Sequence, residues 1–243
     1  MTSSDSKWAL VTGAGVRLGK ATALKLVGSG HQVVVHYNNS AGPAENTVRL
    51  IEESGGRAHL VQADLSSESG IDKLAQEVAA LTPELNVLVN NASIFYPTNS
   101  PEAWVEHWDT FQMVNLKSPF LLTVKLLPIL REARGCVVNI VDIWARFPLR
   151  RFLPYSVAKS GLEALTRCLA LELAPEVRVN GVSPGAALPP PNSEDSMDKM
   201  LSQVPLKKYG GADSIAEAVD FLVRADYVTG QILAVDGGRS INL

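Results

Sequence analysis

The stretch WALVTGAGVRLG, at residues 8–19, decides the fold class of this 243-residue chain. Its first part, Trp8–Thr12, is a short apolar run that is typical of a buried strand. A helical pattern follows from about Arg17 to Ser29, so a glycine-containing turn joins a strand directly to a helix. This is the context that a phosphate-binding turn requires. The stretch therefore predicts the first unit of a nucleotide-binding α/β domain.

The two outer glycines of this turn have separate physical roles. Gly13 allows a tight turn after the strand, and Gly19 lets the helix pack closely on the strand. The dinucleotide pattern G-x-G-x-x-G is incomplete, because Leu18 occupies the position of the third glycine. The sequence of the turn is closer to the pattern T-G-x-x-x-R-x-G. A structural turn that binds no ligand is the alternative.

Beyond this unit, short apolar runs alternate with helical patterns along the chain. Six further strands are predicted at residues 32–37, 58–62, 87–89, 137–141, 177–182 and 232–235. Helices are predicted between them at residues 44–53, 68–80, 102–132, 156–174 and 213–223. Such alternation builds a parallel sheet with helices on both faces. We therefore predict an α/β fold, a doubly wound parallel sheet of about seven strands, in a single domain over residues 1–243.

One stretch is irregular and lies where ligands bind in such sheets. Pro184–Asp198 contains three consecutive prolines, which neither a strand nor a helix interior accommodates. It follows the sixth predicted strand, and ligands bind beyond the carboxyl ends of the strands in open parallel sheets. We predict a substrate loop at about residues 185–205, with an ordinary surface loop as the alternative.

Composition excludes several classes of function. The chain is 46% hydrophobic and 19% charged with a net charge of −3, so neither a nucleic-acid-binding nor a membrane surface is expected. The N-terminus lacks a signal peptide pattern and no apolar run is long enough for a membrane span, which predicts a cytoplasmic protein. The two cysteines are isolated in the sequence, which indicates that both are free thiols. No metal site is expected, because the four histidines lack ligand spacing; they are His31, His36, His59 and His107.

The end of the second predicted strand indicates the cofactor. NAD sites of this kind place an acid there for the ribose hydroxyl, and this chain has His36-Tyr37-Asn38-Asn39-Ser40 instead. Together with Arg17, the side chains of His36, Asn38 and Ser40 could donate hydrogen bonds to a 2′-phosphate. We therefore predict NADPH. Asp64 is expected to meet the adenine amino group, or alternatively to cap the segment that begins at Ser66.

The chemistry is predicted at Tyr155 and Lys159, four residues apart on a helix that opens at Pro154. This spacing puts both side chains on one helix face, where the ammonium would favour the phenolate and let the tyrosine exchange a proton near neutral pH. Asp142 lies thirteen positions before the tyrosine. An ordinary surface pair is the alternative for Tyr155 and Lys159.

These motifs, in their order and spacing, resemble the short-chain dehydrogenase/reductase family along the whole chain. Besides the turn, they are Ala63-Asp64-Leu65, Asn90-Asn91-Ala92, Asn115, Tyr155-x-x-x-Lys159, Ser183-Pro184-Gly185 and Asp236-Gly237-Gly238. The resemblance implies a Rossmann-type fold, usually a tetramer, with hydride transfer from a nicotinamide held over the tyrosine. The cofactor-binding residues that it implies are Gly13, Arg17, Leu18, His36, Tyr37, Asn38, Ser40, Asp64, Leu65, Asn91, Ala92, Ser93, Tyr155, Lys159, Pro184 and Gly185.

Three departures from the family pattern are similar to those of pteridine reductases. Arg17 and Ser93 stand where most members have glycine, and Asp142 stands where most have serine. The segment from Asn90 to Pro97 resembles that subgroup, and Asp236-Gly237-Gly238-Arg239 resembles its dihydromonapterin reductases. The resemblance implies reduction of a pterin, such as dihydromonapterin, dihydrobiopterin or dihydrofolate. We expect catalysis by Asp142, Tyr155 and Lys159, and substrate binding by Arg17, Ser93, Phe95, Asp142 and Tyr155.

The residues fit this substrate, but each has a structural alternative. Phe95 could stack on a flat heterocycle or belong to the core, and Arg17 could contact the ring or phosphate alone. Asp142 could hold a proton beside Tyr155 or only cap a turn. Two other functions stay open. One is an NADPH-dependent reductase of a ketone such as a 3-oxoacyl thioester, which a carboxylate at Asp142 disfavours. The other is a non-catalytic dinucleotide-binding protein.

Overall fold

The computed structural model describes residues 7–185, 187 and 200–242. Seven strands form one sheet in the order β3-β2-β1-β4-β5-β6-β7, and every neighbouring pair is parallel. The strands are β1 Lys7–Val11, β2 His31–Tyr37, β3 Ala58–Gln62, β4 Val87–Asn90, β5 Cys136–Ile140, β6 Arg178–Pro184 and β7 Ile232–Val235. The predicted fold class is confirmed: the fold is a single α/β domain of Rossmann type.

Helices follow the strands as the sequence pattern predicts. They are α1 Arg17–Gly28, α2 Ala41–Glu53, α3 Glu68–Leu81, α4 Pro101–Gln112, α5 Ser118–Glu132, α6 Leu153–Leu173 and α7 Gly211–Arg224. The predicted helix over 102–132 is interrupted by a π-helical turn at Met113–Lys117, which separates α4 from α5. Such turns are frequent at functional sites, and this one carries Asn115.

Alternate residues of each central strand pack into two hydrophobic cores, one on each face of the sheet. Trp8 and Leu10 of β1 pack on the face covered by α3, α5 and α6, while Ala9 and Val11 pack on the face covered by α1, α2 and α7. Because both faces are covered, β4 and β5 are buried at every position. This is why these strands show continuous apolar runs and no polar alternation.

The strand order reverses between β1 and β4, and this reversal locates the ligand crevice. In the chain, β1 leads to β2 on one side, whereas β4 lies on its other side. Val11 of β1 is level with Val89 of β4, so the segments after both strands emerge together at the carboxyl edge. Ligands of open α/β sheets bind at this kind of switch point.

Among the described residues, one helical segment is apolar enough to qualify as a membrane span by length and composition. It runs from Pro101 to Glu132, with a mean hydropathy of 1.4 in its most apolar window, and 44% of that window is buried inside the protein. This differs from our expectation that no segment is long enough. The apolar residues of its second half, Leu122, Leu126 and Leu130, belong to the core against α3, so core packing accounts for the hydropathy.

Two other expectations concern the substrate loop and metals. Of the predicted loop at 185–205, residue 186 and residues 188–199 lie outside the described residues, and the three prolines are among them. Within residues 7–185, 187 and 200–242, no group of three or more His, Cys, Asp or Glu side chains could hold a metal ion.

Candidate active site

The turn after β1 is shaped as a phosphate-binding turn requires. Gly13 has a φ of +65°, which favours glycine, and a Cβ on Gly19 would collide with the carbonyl group of Gly13. The tight turn predicted at Gly13 is therefore confirmed, while Gly19 lets α1 pack closely on the turn after β1 and not on the strand itself. Val16 precedes α1 without a side-chain cap, and the first turn of α1 carries no acid. The first N–H groups of the helix thus have no protein side chain to cap them, which fits a bound pyrophosphate.

Arg17 begins α1 with a backbone conformation that glycine prefers. Its φ is +49°, and its side chain is exposed with no hydrogen-bond or ion-pair partner among the described residues. A side chain in the left-handed region costs free energy, so the family's usual glycine is the relaxed choice here. Strained positions of this kind concentrate at functional sites. The exposed guanidinium is therefore free to meet a phosphate or a substrate.

His36 does not have the role that we expected. The side chain is 1% exposed, its Nδ1 accepts a hydrogen bond from the N–H of Gly13 at 3.1 Å, and its Nε2 is 3.0 Å from the carbonyl oxygen of Ala63. Burial lowers the pKa of His36 to about 4, so the ring is neutral and Nε2 donates to Ala63. Both ring nitrogens are occupied, so the His36 side chain cannot bind a 2′-phosphate. It instead supports the Gly13 turn.

The other residues near the end of β2 remain open to solvent. Asn38 is exposed, and its amide donates to Asp64 at 3.2 Å. The same carboxylate accepts from the backbone N–H and hydroxyl of Ser66, at 2.9 and 2.8 Å, and these bonds lower the pKa of Asp64. The side-chain cap of α3 is Ser67, whose hydroxyl accepts from the N–H of Gly70, so the alternative of a helix cap at Asp64 is wrong. The contact of Asp64 with an adenine amino group stays a prediction. Ser40 precedes α2 and makes no side-chain cap bond.

Two further expected cofactor residues differ in their access. Leu65 is 5% exposed, which leaves its backbone as the group that could face a cofactor. Tyr37 is the last residue of β2 and is partly exposed while packing against the core.

Pro184 ends β6, and a Cβ on the following Gly185 would approach that of Asp236 to 2.5 Å. The close approach of the two backbones at Gly185 fixes the chain at the carboxyl edge of β6.

Thr12, which was not among the predicted site residues, holds the segment after β4 in place. Its hydroxyl accepts from the N–H groups of Asn91 and Ala92, both at 2.9 Å, and the Asn91 side chain donates to the carbonyl of Thr12 at 2.7 Å. The side-chain amide of Asn91 is thus occupied by a hydrogen bond within the protein. Its fixed backbone leads the chain from Ala92 to Ser93 into the crevice.

Asn115 in the π-helical turn clamps the next residues. Its Oδ1 accepts from the Ser93 hydroxyl and from the Ile94 N–H, each at 3.0 Å, and its amide donates to the Ile94 carbonyl at 3.0 Å. Asn115 is 1% exposed, so the clamp is part of the interior. The clamp fixes the backbone that carries Phe95.

Tyr155 and Asp142 form a hydrogen-bonded pair. The Tyr155 hydroxyl donates to Oδ2 of Asp142 at 2.6 Å, and Oδ1 of Asp142 accepts from the N–H of Trp144 at 3.0 Å. Asp142 therefore caps a 3₁₀ turn over Ile143–Ala145 with one oxygen and binds the tyrosine with the other. The cap and the contact with Tyr155, which the sequence left as alternatives, therefore occur together in one side chain, and catalysis by Asp142 stays a prediction.

Lys159 lies on the same face of α6 as Tyr155, as the spacing predicts. Its ammonium group donates to the carbonyl oxygen of Ile140 at 2.8 Å and lies 5.8 Å from the centre of the Tyr155 ring. The side chain is 2% exposed, and the alternative of an ordinary surface pair is therefore wrong.

The electrostatics of the pair differ from the sequence prediction. Burial, the charge of Asp142 and the hydrogen bond to it raise the pKa of Tyr155 well above its ordinary value. Our expectation that Lys159 would favour the phenolate is therefore wrong for the protein without ligands, because Asp142 and burial outweigh the lysine. Burial also raises the pKa of Asp142 and lowers that of Lys159 to about 8. Tyr155 rests as a protonated acid.

Phe95 is an exposed ring beside the tyrosine. It is 54% exposed, which excludes the core alternative, and its centroid is 4.8 Å from that of Tyr155 with the rings nearly perpendicular. Phe152, which the sequence reading did not select, stacks on Phe95 with centroids 4.5 Å apart and planes 15° apart. Because Phe152 directly precedes α6, the ring that supports Phe95 and the tyrosine come from one segment.

Comparisons with known proteins agree with this geometry at the level of the family. A family model described as "Enoyl-(Acyl carrier protein) reductase" matches residues 13–240. A 3-oxoacyl-[acyl-carrier-protein] reductase from Synechocystis sp. is 35% identical over 243 residues, which cover 98% of this chain and 98% of that protein. The chain belongs to the short-chain dehydrogenase/reductase family.

Other relatives carry names with different substrates. The 3-oxoacyl-[acyl-carrier-protein] reductase FabG of Staphylococcus epidermidis is 34% identical over 240 residues, 96% of this chain and 98% of that protein. Glucose 1-dehydrogenase 2 of Bacillus subtilis is also 34% identical, over 245 residues, 97% of this chain and 95% of that protein. These matches support an NAD(P)-dependent oxidoreductase of the family. None of these names supports the pteridine reductase subgroup.

Proposed function

We propose that this reductase uses NADPH to reduce a ring C=N bond of a pterin, converting a dihydropterin to the tetrahydro form. The observation that carries the proposal is the hydrogen bond from Tyr155 to the partly buried carboxylate of Asp142, at 2.6 Å. A carboxylate at this position suits a pterin far better than a ketone.

The difference lies in the charge that each substrate develops. A ketone that accepts a hydride builds negative charge on its oxygen, and a carboxylate nearby opposes that charge. A ring nitrogen that is protonated before or during hydride addition carries positive charge, which Asp142 would stabilise. Since Asp142 is only partly exposed, water screens this interaction less than it would at the surface. The site therefore favours reduction at a nitrogen.

The cofactor proposed is NADPH, which supplies the hydride when it is bound. The uncapped N-terminus of α1 fits the pyrophosphate, and Arg17, Asn38 and Ser40 stand at the edge where a 2′-phosphate would lie. No acid follows β2 to repel that phosphate, since residues 38–40 are Asn, Asn and Ser. Lys159 is proposed to hold the ribose next to Tyr155.

The protein's own residues complete the addition by moving one proton. Tyr155 gives its hydroxyl proton to the substrate nitrogen as the neighbouring carbon gains the hydride, so C=N becomes CH–NH and charge balances. The resulting phenolate lies near the Lys159 ammonium, which stabilises it until solvent returns a proton. Asp142 orients the hydroxyl before transfer and accepts from N–H groups of the substrate.

Phe95 and Arg17 are proposed to recognise the flat polar ring. Phe95 is exposed beside Tyr155 and backed by Phe152, so it offers a fixed surface on which a heterocycle can stack. Arg17 offers a planar set of donors with no competing partner among the described residues. Ser93 is held by Asn115 close to the same surface.

Reduction of a ketone, such as a 3-oxoacyl thioester, is the second candidate. It is supported by the names of two relatives that are 35% and 34% identical across nearly the whole chain. On the names alone, this candidate is the better supported of the two. It requires Asp142 to stay protonated during the reaction, and the burial that raises its pKa acts in that direction.

The deciding experiment compares the two substrates with one preparation of enzyme. NADPH oxidation would be followed with a dihydropterin, with dihydrofolate and with a 3-oxoacyl thioester, using Tyr155→Phe as the background control. The proposal expects kcat/KM for the dihydropterin to exceed that for the thioester at least about tenfold, the factor that 1.4 kcal/mol of transition-state discrimination gives. A higher kcat/KM for the thioester than for the dihydropterin would instead establish a ketone reductase.

We further propose that the protein assembles as a homotetramer. Large apolar side chains remain exposed on α4 and α5, among them Val105 at 81%, Trp108 at 38% and Val124 at 45%. Apolar surface of this kind on neighbouring helices favours burial against another subunit. Light scattering on the purified protein would measure the mass, and a monomer would contradict the proposal.

A further inference from the structure

The turn that carries Asp142 is held from a second direction, by the C-terminal segment. Beyond the capping bond to Asp142, Trp144 places its indole ring against Arg239, whose guanidinium carbon lies 5.3 Å from the ring centre. Arg239 is nearly a hundred residues later in the chain, in a 3₁₀ turn over Arg239–Ile241. The contact therefore joins two segments that the sequence does not relate.

Arg239 is unusually well fixed for an arginine. It is 8% exposed, and its guanidinium donates to the carbonyl of Met200 at 3.2 Å and to the side chain of Gln203 at 2.8 Å. Burial lowers the pKa of Arg239 and the charge of Asp236 opposes this, while the cation remains. A desolvated cation over an indole interacts more strongly than an exposed one.

The backbone around Arg239 is fixed as well. The carboxylate of Asp236 accepts from the N–H of Gly238 at 2.9 Å and from that of Ser240 at 2.7 Å. Gly237 has a φ of +63°, and a Cβ there would approach Val204 to 2.7 Å. The turn thus packs directly on residues 200–204, the described end of the predicted substrate loop.

We propose that Arg239 is a positioning residue for the reduction: by holding Trp144, it keeps the Asp142 turn in register with Tyr155 and ties it to residues 200–203. The chain of contacts runs from Gln203 to Arg239, to Trp144, to Asp142 and to the Tyr155 hydroxyl. Within the described residues, Arg239 makes no hydrogen bond or ion pair with Tyr155 or Lys159, so it acts through Trp144.

The inference rests on catalysis by Tyr155, which both candidate functions share. Its test is therefore run on whichever substrate the wild-type enzyme turns over. A wild type that reduces the ketone and not the pterin refutes the proposed function and leaves this test intact.

The test is a double-mutant cycle on kcat. Arg239→Lys keeps the charge but loses the planar stack and the fixed donors, and should lower kcat about tenfold. Trp144→Leu should lower it similarly, whereas Trp144→Phe keeps a ring under the guanidinium and should stay within about threefold of wild type. If the two residues act as a unit, the double variant Arg239→Lys/Trp144→Leu should be no slower than the slower single variant.

The controls separate positioning from general damage. Arg224→Lys alters a guanidinium that pairs with Asp220 on α7, away from the Asp142 turn, and should leave kcat unchanged. NADPH Kd should stay within about twofold in every variant, because none of these contacts involves the α1 turn.

Two results would overturn the proposal. One is additive losses in kcat for the double variant, and the other is a Trp144→Phe variant as slow as Trp144→Leu. If Arg239→Lys does not fold, Gln203→Ala removes one guanidinium bond from an exposed partner and should lower kcat about threefold. Unchanged kcat in both Gln203→Ala and Trp144→Leu would then equally rule out the positioning role.

Discussion

The Tyr155 hydroxyl donates a hydrogen bond to Oδ2 of Asp142 at 2.6 Å, so two side chains thirteen positions apart form one hydrogen-bonded pair. Tyr155 is 4% exposed, and Asp142 is held at its other oxygen by the N–H of Trp144. The hydroxyl proton of Tyr155, which the proposed reaction uses, is therefore localised between two fixed atoms. The first two predictions test each partner of this pair.

Tyr155→Phe should keep the fold and lose turnover. The ring still fills its place beside Phe95, but the hydroxyl that carries the proton is gone, so kcat should fall about 10²-fold or more. NADPH Kd measured by fluorescence titration should change little. A variant with more than about one tenth of wild-type kcat would remove Tyr155 from the mechanism.

Asp142→Ser should convert the pair to the family's usual arrangement and change substrate preference. The pterin loses the carboxylate that stabilises a positive nitrogen, so its kcat should fall, whereas a 3-oxoacyl thioester should be reduced faster. Asp142→Asn is the matched control: it keeps the shape and the capping oxygen without the charge. Both variants should bind NADPH as wild type does. Unchanged pterin kcat in both would leave the ketone reductase as the better function.

Arg17→Gly should increase stability while lowering pterin turnover. Glycine relaxes the φ of +49°, which should raise the free energy of unfolding by about 1 kcal/mol, measured by urea denaturation. Pterin kcat/KM should fall more than NADPH affinity, because the backbone amides of α1 remain. Arg17→Lys, which retains charge and strain but not the planar donors, separates the two effects. Normal pterin reduction by Arg17→Gly would show that Arg17 has no substrate role.

NADPH should be preferred over NADH, because residues 38–40 offer no acid for a ribose hydroxyl. The measurement is the ratio of kcat/KM for the two cofactors. Asn38→Asp should lower that ratio at least about tenfold by repelling the 2′-phosphate, and Asn38→Ala should change it little. Equal kcat/KM for both cofactors in the wild type would be inconsistent with this prediction.

His36 should make the protein sensitive to acid. Its pKa is about 4 in the folded state against an ordinary 6.5, so between these values the unfolded chain binds a proton that the folded protein does not. The free energy of unfolding must then fall as pH decreases from 6.5 to 4, by about 3 kcal/mol at most for this residue. His36→Asn can still accept from the Gly13 N–H and cannot take up the proton.

The His36→Asn variant should be less stable than wild type at pH 7 and should lose less stability on acidification. Urea denaturation of both proteins at several pH values between 7 and 4 gives the difference directly. The contribution of His31, whose pKa burial also lowers, is common to both and cancels. Parallel pH curves for the two proteins would exclude this role of His36.

Much of the site was predictable where its signal is local. The glycine turn at Gly13 and the four-residue spacing of Tyr155 and Lys159 were readable, because a turn conformation or a helix period specifies each one. Phe152 and Thr12 were not, since nothing in their neighbours distinguishes a ring that stacks on Phe95 or a hydroxyl that caps two distant N–H groups.

Hydrophobic periodicity was enough to predict the order of strands and helices, because it reports which faces of each element are buried. The folded arrangement makes His36 a neutral support for Gly13, raises the pKa of Tyr155 through burial and Asp142, and brings Arg239 to Trp144. The charge state and partner of a side chain depend on its burial and on the atoms around it. Those atoms come from segments far apart in the chain, and only the folded sheet brings them together.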